Sequence, residues 1–117
     1  MILAIPIEDF NKQYVLYLKP TKNKLMENAT FTKIIYSPPT IMLNGIYLYI
    51  KHIPVDSIVD IERNVLSSYT SDKTPTYSIQ KSLQKHSNVH VLKISGIWEN
   101  EKAYGLAYKV IHENHLF

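Results

Sequence analysis

Apolar residues recur along this chain in two different periods, and the switch between them separates a strand block, a helical block and a closing strand block. In the first block, Ile2 to Ile7 and Tyr14 to Lys19 are short β-like runs separated by the polar connection Glu8-Asp9-Phe10-Asn11-Lys12. Pro20 to Asn28 reads as a polar, lysine-bearing loop. Phe31 to Ser37 alternates and is rich in Phe, Ile and Tyr, which predicts a further strand. Pro38-Pro39 ends it, since neither residue can donate to a sheet ladder. Ile41 to Leu43 and Ile46 to Ile50 then flank Asn44-Gly45, a pair suited to the positive φ of a two-residue turn. A hairpin is expected there, its second arm reaching Ile53 before Pro54.

From Asp56 the period lengthens. Val55, Ile58, Val59, Glu62, Val65, Leu66 and Tyr69 fall at helical spacing, and Asp56 is placed to cap the helix by accepting orphan amide hydrogens. The polar stretch Thr70 to Pro75 ends this helix. A second, shorter helix is expected from Thr76 to His86, with Ile79 and Leu83 inward and Asn88 as its stop. The order strands, two helices, strands predicts one mainly β domain of the α+β class over residues 1–117, with the helical block inserted before the last hairpin.

That last hairpin, Val89 to His112, has a glycine in the middle of each arm. A turn centred on Asn100-Glu101 pairs Trp98 with Ala103 and Gly96 with Gly105. Strict alternation then puts Leu92, Ile94, Trp98, Ala107 and Ile111 on one face. Val91, Lys93, Ser95, Ile97, Tyr104, Leu106, Tyr108 and Val110 take the other, with Lys93 opposite Tyr108. Paired glycines permit a sharp bend or the close approach of another backbone, so a strongly curled sheet is expected.

Composition narrows the chemistry. Hydrophobic residues make up 45% and charged residues 20%, as in ordinary globular proteins. There is no Cys, which excludes disulfides, thiolate metal sites and cysteine nucleophiles. No run approaches the roughly 18 apolar residues of a membrane span, and Met1 to Glu8 lacks a basic leader and a cleavage site, so an intracellular protein without a membrane partner is expected. The net charge is +3 and the pI about 9.0, and among the 13 basic residues Arg63 is the sole arginine. Bidentate base reading favours arginine, so this balance suits sequence-tolerant contact with phosphates. A codon bias toward AT-rich genomes is the alternative account of the same lysine excess.

Catalytic and metal-binding patterns are absent. The glycines stand alone at 45, 96 and 105, which form no phosphate loop. His112 and His115 have no third ligand cluster beside them, and His86 and His90 straddle an element boundary. Asp56, Asp60 and Glu62 point in different directions around their helix. Ser37 and Ser95 lack acid–base partners nearby in sequence. No enzyme activity, cofactor or metal is expected.

Tyrosine alternating with lysine is the remaining signal. Tyr47, Tyr49 and Lys51 share one side of their strand, and Tyr17 and Lys19 repeat the pattern earlier. Rings of this kind stack on unpaired bases at roughly 1–3 kcal/mol each while ammonium groups meet phosphates. Strand tyrosines also serve as half-buried sheet filler.

The stretch Leu92-Lys-Ile-Ser-Gly-Ile-Trp-Glu-Asn-Glu-Lys-Ala-Tyr-Gly-Leu-Ala-Tyr-Lys-Val110 resembles the closing hairpin of OB-fold, single-stranded-DNA-binding-like proteins of large eukaryotic DNA viruses. Ile34 to Ser37 and Leu43 to Ile46 are compatible with that family. The resemblance implies an OB-like curled antiparallel sheet or Greek-key barrel with one face tracking a nucleic-acid strand. The end of the chain, Ile111 to Phe117, departs from the acidic tail by which some replication proteins recruit partners.

The expectation is therefore a sequence-tolerant binder of single-stranded DNA or RNA, acting in viral DNA replication or processing in the host cytoplasm or nucleus. Tyr17, Tyr47, Tyr49, Trp98, Tyr104 and Tyr108 are the stacking candidates, and Lys19, Lys51, Lys93 and Lys109 the phosphate candidates. The rival is a virion component or adaptor that buries the same aromatic face against a protein partner or a second copy.

Overall fold

A computed structural model describes residues 4–22, 28–50, 55–84 and 89–112. In chain order these form β1 (Ile5–Pro6), β2 (Val15–Tyr17), β3 (Thr21–Lys22), β4 (Thr30–Tyr36), β5 (Ile46–Tyr49), α1 (Val55–Ser67), β6 (Thr74–Thr76), α2 (Ile79–Gln84), β7 (Val89–Glu99) and β8 (Ala103–His112). The fold is mainly β with two helices ahead of the last hairpin, as the periods of the sequence require. Neither helix is long and apolar enough to cross a membrane.

β7 organises the sheet. One of its edges pairs along its length with β8. The other edge is divided between two partners: Val91 to Ile94 pair with β5, and Gly96 to Glu99 pair with β4. β4 passes the ladder on to β2 and β3. Two parallel pairings, β1 with β5 and β6 with β8, make the sheet mixed rather than purely antiparallel. Among the described residues it does not close into a barrel, because β6, β1 and the β2–β3 edge are not joined to one another.

Alternation along the strands buries one face. Ile34, Tyr36, Ile46, Leu48, Leu92, Ile94, Ile97, Tyr104 and Leu106 form a core with Ile58, Ile61, Val65 and Leu66 of α1 and Ile79 of α2. The α1 residues recur at the three- and four-residue spacing of one helical stripe. Burying such a side chain contributes about 1.5–3 kcal/mol, so the two helices hold the inward face of the sheet.

Several local expectations are corrected. Asn44-Gly45 does not turn a hairpin. The tight turn lies earlier, where Ile41 N–H donates to the Pro38 carbonyl and Tyr36 exchanges backbone bonds with Leu43. Gly45, at φ +120°, is instead a corner against β7, where a Cβ would lie 2.9 Å from the Ile94 carbonyl oxygen. Ile46 to Tyr49 find a longer partner in β7 than Ile41 to Leu43 could offer. The first helix begins at Val55, so Asp56 lies in its first turn rather than at its cap. The second begins at Ile79, because Thr74–Thr76 join β8 as a parallel strand. Lys51, His86, His115 and the Asn88 stop lie outside the described residues.

The closing hairpin has its expected arms and a different register. Asn100 Oδ1 accepts from the amides of Lys102 and Ala103, which centres the turn on Glu101-Lys102. Trp98 therefore faces Gly105, Gly96 faces Ala107, and Lys93 faces Lys109 rather than Tyr108. Between Ile94 and Gly96 the register slips by one, leaving Ser95 as a bulge. The bulge exchanges the two faces of β7 partway along. Leu92 and Ile94 point inward before it and Ile97 after it, so Lys93 and Trp98 share the outward face that strict alternation denied them.

The glycines of this hairpin seat aromatic rings. A Cβ on Gly96 would overlap the Thr32 carbonyl oxygen and lie 2.6 Å from Phe31 Cζ, and one on Gly105 would lie 2.8 Å from Trp98 Cζ2. Gly96→Ala is expected to destabilise the fold by about 3 kcal/mol, the upper range for overpacking, because the obstructing atom is backbone. Ala107→Gly on the facing position should cost no more than about 1 kcal/mol. Urea unfolding of the two variants checks the contrast.

Candidate functional site

The sheet has two faces, and the tyrosines are divided between them. The outward one is covered at its Val91 end, where that side chain is fully buried beside Tyr49. On the inward side, Tyr17 donates to the Val65 carbonyl at the end of α1 (2.6 Å). Tyr69 donates to Glu99 Oε1 (2.6 Å), whose other oxygen accepts from the Ser71 hydroxyl (3.0 Å). Tyr108 donates to the Ser78 carbonyl (3.1 Å), and the Tyr36 hydroxyl accepts from the Asn11 amide (2.8 Å). The rings pack among themselves: Phe10 and Tyr14 lie against Tyr36, and Tyr69 lies against both Tyr17 and Tyr104. Each hydroxyl ties a helix or loop to the sheet while its ring fills the core margin. Burial raises the phenol pKa of Tyr17 and of Tyr69, and for Tyr69 the bond to Glu99 adds to it.

Tyr17, Tyr104 and Tyr108 are therefore engaged inside the fold and do not join the other site candidates. Sequence periodicity alone could not separate them from Tyr47 and Tyr49, since all five sit in β-like alternation.

The outward face is built from alternate residues of four neighbouring strands. Register places Phe31 beside Trp98, Lys33 beside Gly96, and Tyr47 beside Lys93, with Lys109 next in line on β8. Tyr49 occupies the next outward position of β5 and is exposed. None of these residues belongs to the core cluster. The Lys93 ammonium lies 5.2 Å from the centre of the Tyr47 ring, a cation–π contact that orients it over the face. Lys33 and Lys109 are exposed. At the outward positions of β4, β5, β7 and β8 there is no carboxylate.

Five of the candidates named from sequence thus share this face: Tyr47, Tyr49, Lys93, Trp98 and Lys109. Lys19 is exposed in the connection between β2 and β3, beside the β4 edge. Phe31 and Lys33 join the face without having been anticipated. The signal was present in the alternation Phe31, Lys33, Ile35, yet their neighbours could be known only once β4 had paired with β7.

Two carboxylates of the inward side, Glu62 and Glu99, are held by hydrogen bonds. Glu62 is only 2% exposed, and its Oε2 accepts from the amides of Ser78 (3.1 Å) and Ile79 (3.4 Å), capping α2 from a distance. Glu99 is held by Tyr69 and Ser71. Among the described residues, no three His, Asp or Glu side chains gather as a metal site would need.

Comparison of the chain with protein-family models, with curated proteins and with solved structures finds no match.

Desolvation raises the Glu62 pKa above its ordinary 4.5, while the two amide bonds lower it by less. A carboxyl held above its unfolded value favours folding fully below that value, and the benefit is lost as pH rises through the folded pKa. Glu62→Gln keeps an acceptor for the two amides and removes the titration. The stability difference between wild type and this variant should shift toward wild type as pH falls from neutral to the ordinary carboxyl range. Paired urea unfolding across that range measures it, and a pH-independent difference would contradict the assignment.

Proposed function

We propose that the outward sheet face binds single-stranded nucleic acid without reading its sequence, and that the protein acts by binding rather than by catalysis. The observation that carries this reading is the convergence of four aromatic rings (Phe31, Tyr47, Tyr49 and Trp98) and three ammonium groups (Lys33, Lys93 and Lys109) on one face that has no carboxylate among its described strand positions. Unpaired bases offer flat faces to such rings, and phosphates attract the amines whatever the sequence. The lysine-dominated basic set suits phosphate contact better than base reading.

The hairpin's resemblance to OB-fold, single-stranded-DNA-binding-like viral proteins supports the same reading. It suggests a role in viral DNA replication or processing inside the host cell, with the curled sheet as an OB-like platform.

A second reading is favoured by apolar exposure at the sheet edge. Leu16 is 47% and Leu18 46% exposed on and beside β2, and Met42 is 69% exposed in the turn before β5. In that case the face serves assembly with another protein or a second copy.

Fluorescence titration with a single-stranded oligonucleotide tests the proposal. Three phosphate contacts give a log–log salt slope of about −2, at about 0.7 per contact. Trp98→Leu should weaken binding by about 1–3 kcal/mol, the usual worth of a stacked base. Tyr17→Phe and Tyr108→Phe should leave binding unchanged. No binding at low salt, together with a solution mass above the 13.6 kDa monomer, would favour assembly instead.

A further inference from the structure

The outward face carries different groups at its two ends along β7. At one end, Lys93 and Lys109 face each other across neighbouring strands, with Tyr47 flanking Lys93. Like charges so placed oppose sheet pairing, and among the described residues no carboxylate stands at an outward position of β4, β5, β7 or β8 to relieve them. A bound anion would do so. At the other end Phe31 and Trp98 are paired across β4 and β7, each ring lying over a glycine of the hairpin. Between the ends Gly96 lies under the Phe31 ring, Ala107 is the small residue left on the floor, and Lys33 stands on the flank.

We infer that a single strand runs lengthwise along β7, placing a phosphate between Lys93 and Lys109 and unpaired bases on Phe31 and Trp98. This rests on the proposed function and adds the path of the ligand and its minimum length. About five residues of β7 separate the two ends, or about 16 Å at strand rise. A stacked strand advances about 3.4 Å per nucleotide, so about five nucleotides span the distance, and fewer when the strand is stretched. A dinucleotide reaches only one end. A duplex hides its base faces from the rings.

The chain's sole tryptophan lies on this face, so its emission reports the aromatic end directly. Oligothymidylates from the dinucleotide to about twelve nucleotides would be titrated against wild type, Lys93→Met, Lys109→Met and Phe31→Leu. Affinity should climb at least about tenfold between the dinucleotide and about six nucleotides, then level toward the occupancy limit of one site. Each variant should remove at least about fivefold of that gain, the lower worth of one stacked base, and weaken dinucleotide binding much less or not at all at the end it leaves intact. Circular dichroism of the variants confirms that each is folded. A wild-type affinity that barely changes with length, or a lysine pair whose replacement has no effect on the longer strands, would overturn the path while leaving single-strand binding in place. Equal affinity for a blunt duplex would overturn the stacking end. Failure to bind any oligothymidylate would sink the path and the proposed function together.

Discussion

The structure depends on one strand satisfying two ladders at once. β7 pairs with β8 on one edge, and on the other hands over from β5 to β4 at Ser95. The bulge there adds a residue on β7 without a partner on β8, which lets the strand bend toward two differently placed neighbours. Gly45 brings the start of β5 close to the Ile94 carbonyl, and Gly96 admits the Thr32 carbonyl on the β4 side. Side chains at either position would push the two halves of the ladder apart. The handover also fixes which residues of β7 face out, so the composition of the outward face follows from a backbone event.

The inward face shows how the helical block is attached. Apolar burial alone is non-directional, and it would leave α1 and α2 free to slide over the sheet. Hydroxyls and two carboxylates supply the direction: Tyr17 to the end of α1, Tyr108 and Glu62 to the start of α2, and Glu99 to the loop carrying Tyr69 and Ser71. Bonds of this kind contribute about 1 kcal/mol each when made, and losing one partner in a buried site costs more. They account for much of the chain's tyrosine. A high tyrosine count is therefore poor grounds for a binding role, whereas the few rings that point outward are informative because the core does not require them there.

Electrostatics reinforces the same division. The carboxylates that might have neutralised the lysines of the sheet are turned inward, as Glu62 and Glu99 are, or lie on α1 and in the hairpin turn, as Asp56, Asp60 and Glu101 do. A modest net charge of +3 thus becomes a face whose charged positions are all lysine. Surface fields of this kind raise encounter rates with anionic partners beyond what net charge suggests.

Much of the architecture was legible from residue order. The switch from alternating to helical spacing at Val55, the return to strands near Val89, and the two arms of the last hairpin all follow from local side-chain periods and turn residues. So does the placement of Tyr47 and Tyr49 on one side of their strand, opposite Ile46, Leu48 and Ile50. What local pattern could not decide was the partner of each strand. Asn44-Gly45 fits a hairpin turn in isolation, yet β5 gains more by joining β7; the same competition recruits Thr74–Thr76 to β8. The placement of Lys93 and Trp98 on a common face is likewise non-local. Alternation read along β7 alone separates them, and only the demand of two ladders meeting at Ser95 inserts the residue that brings them together.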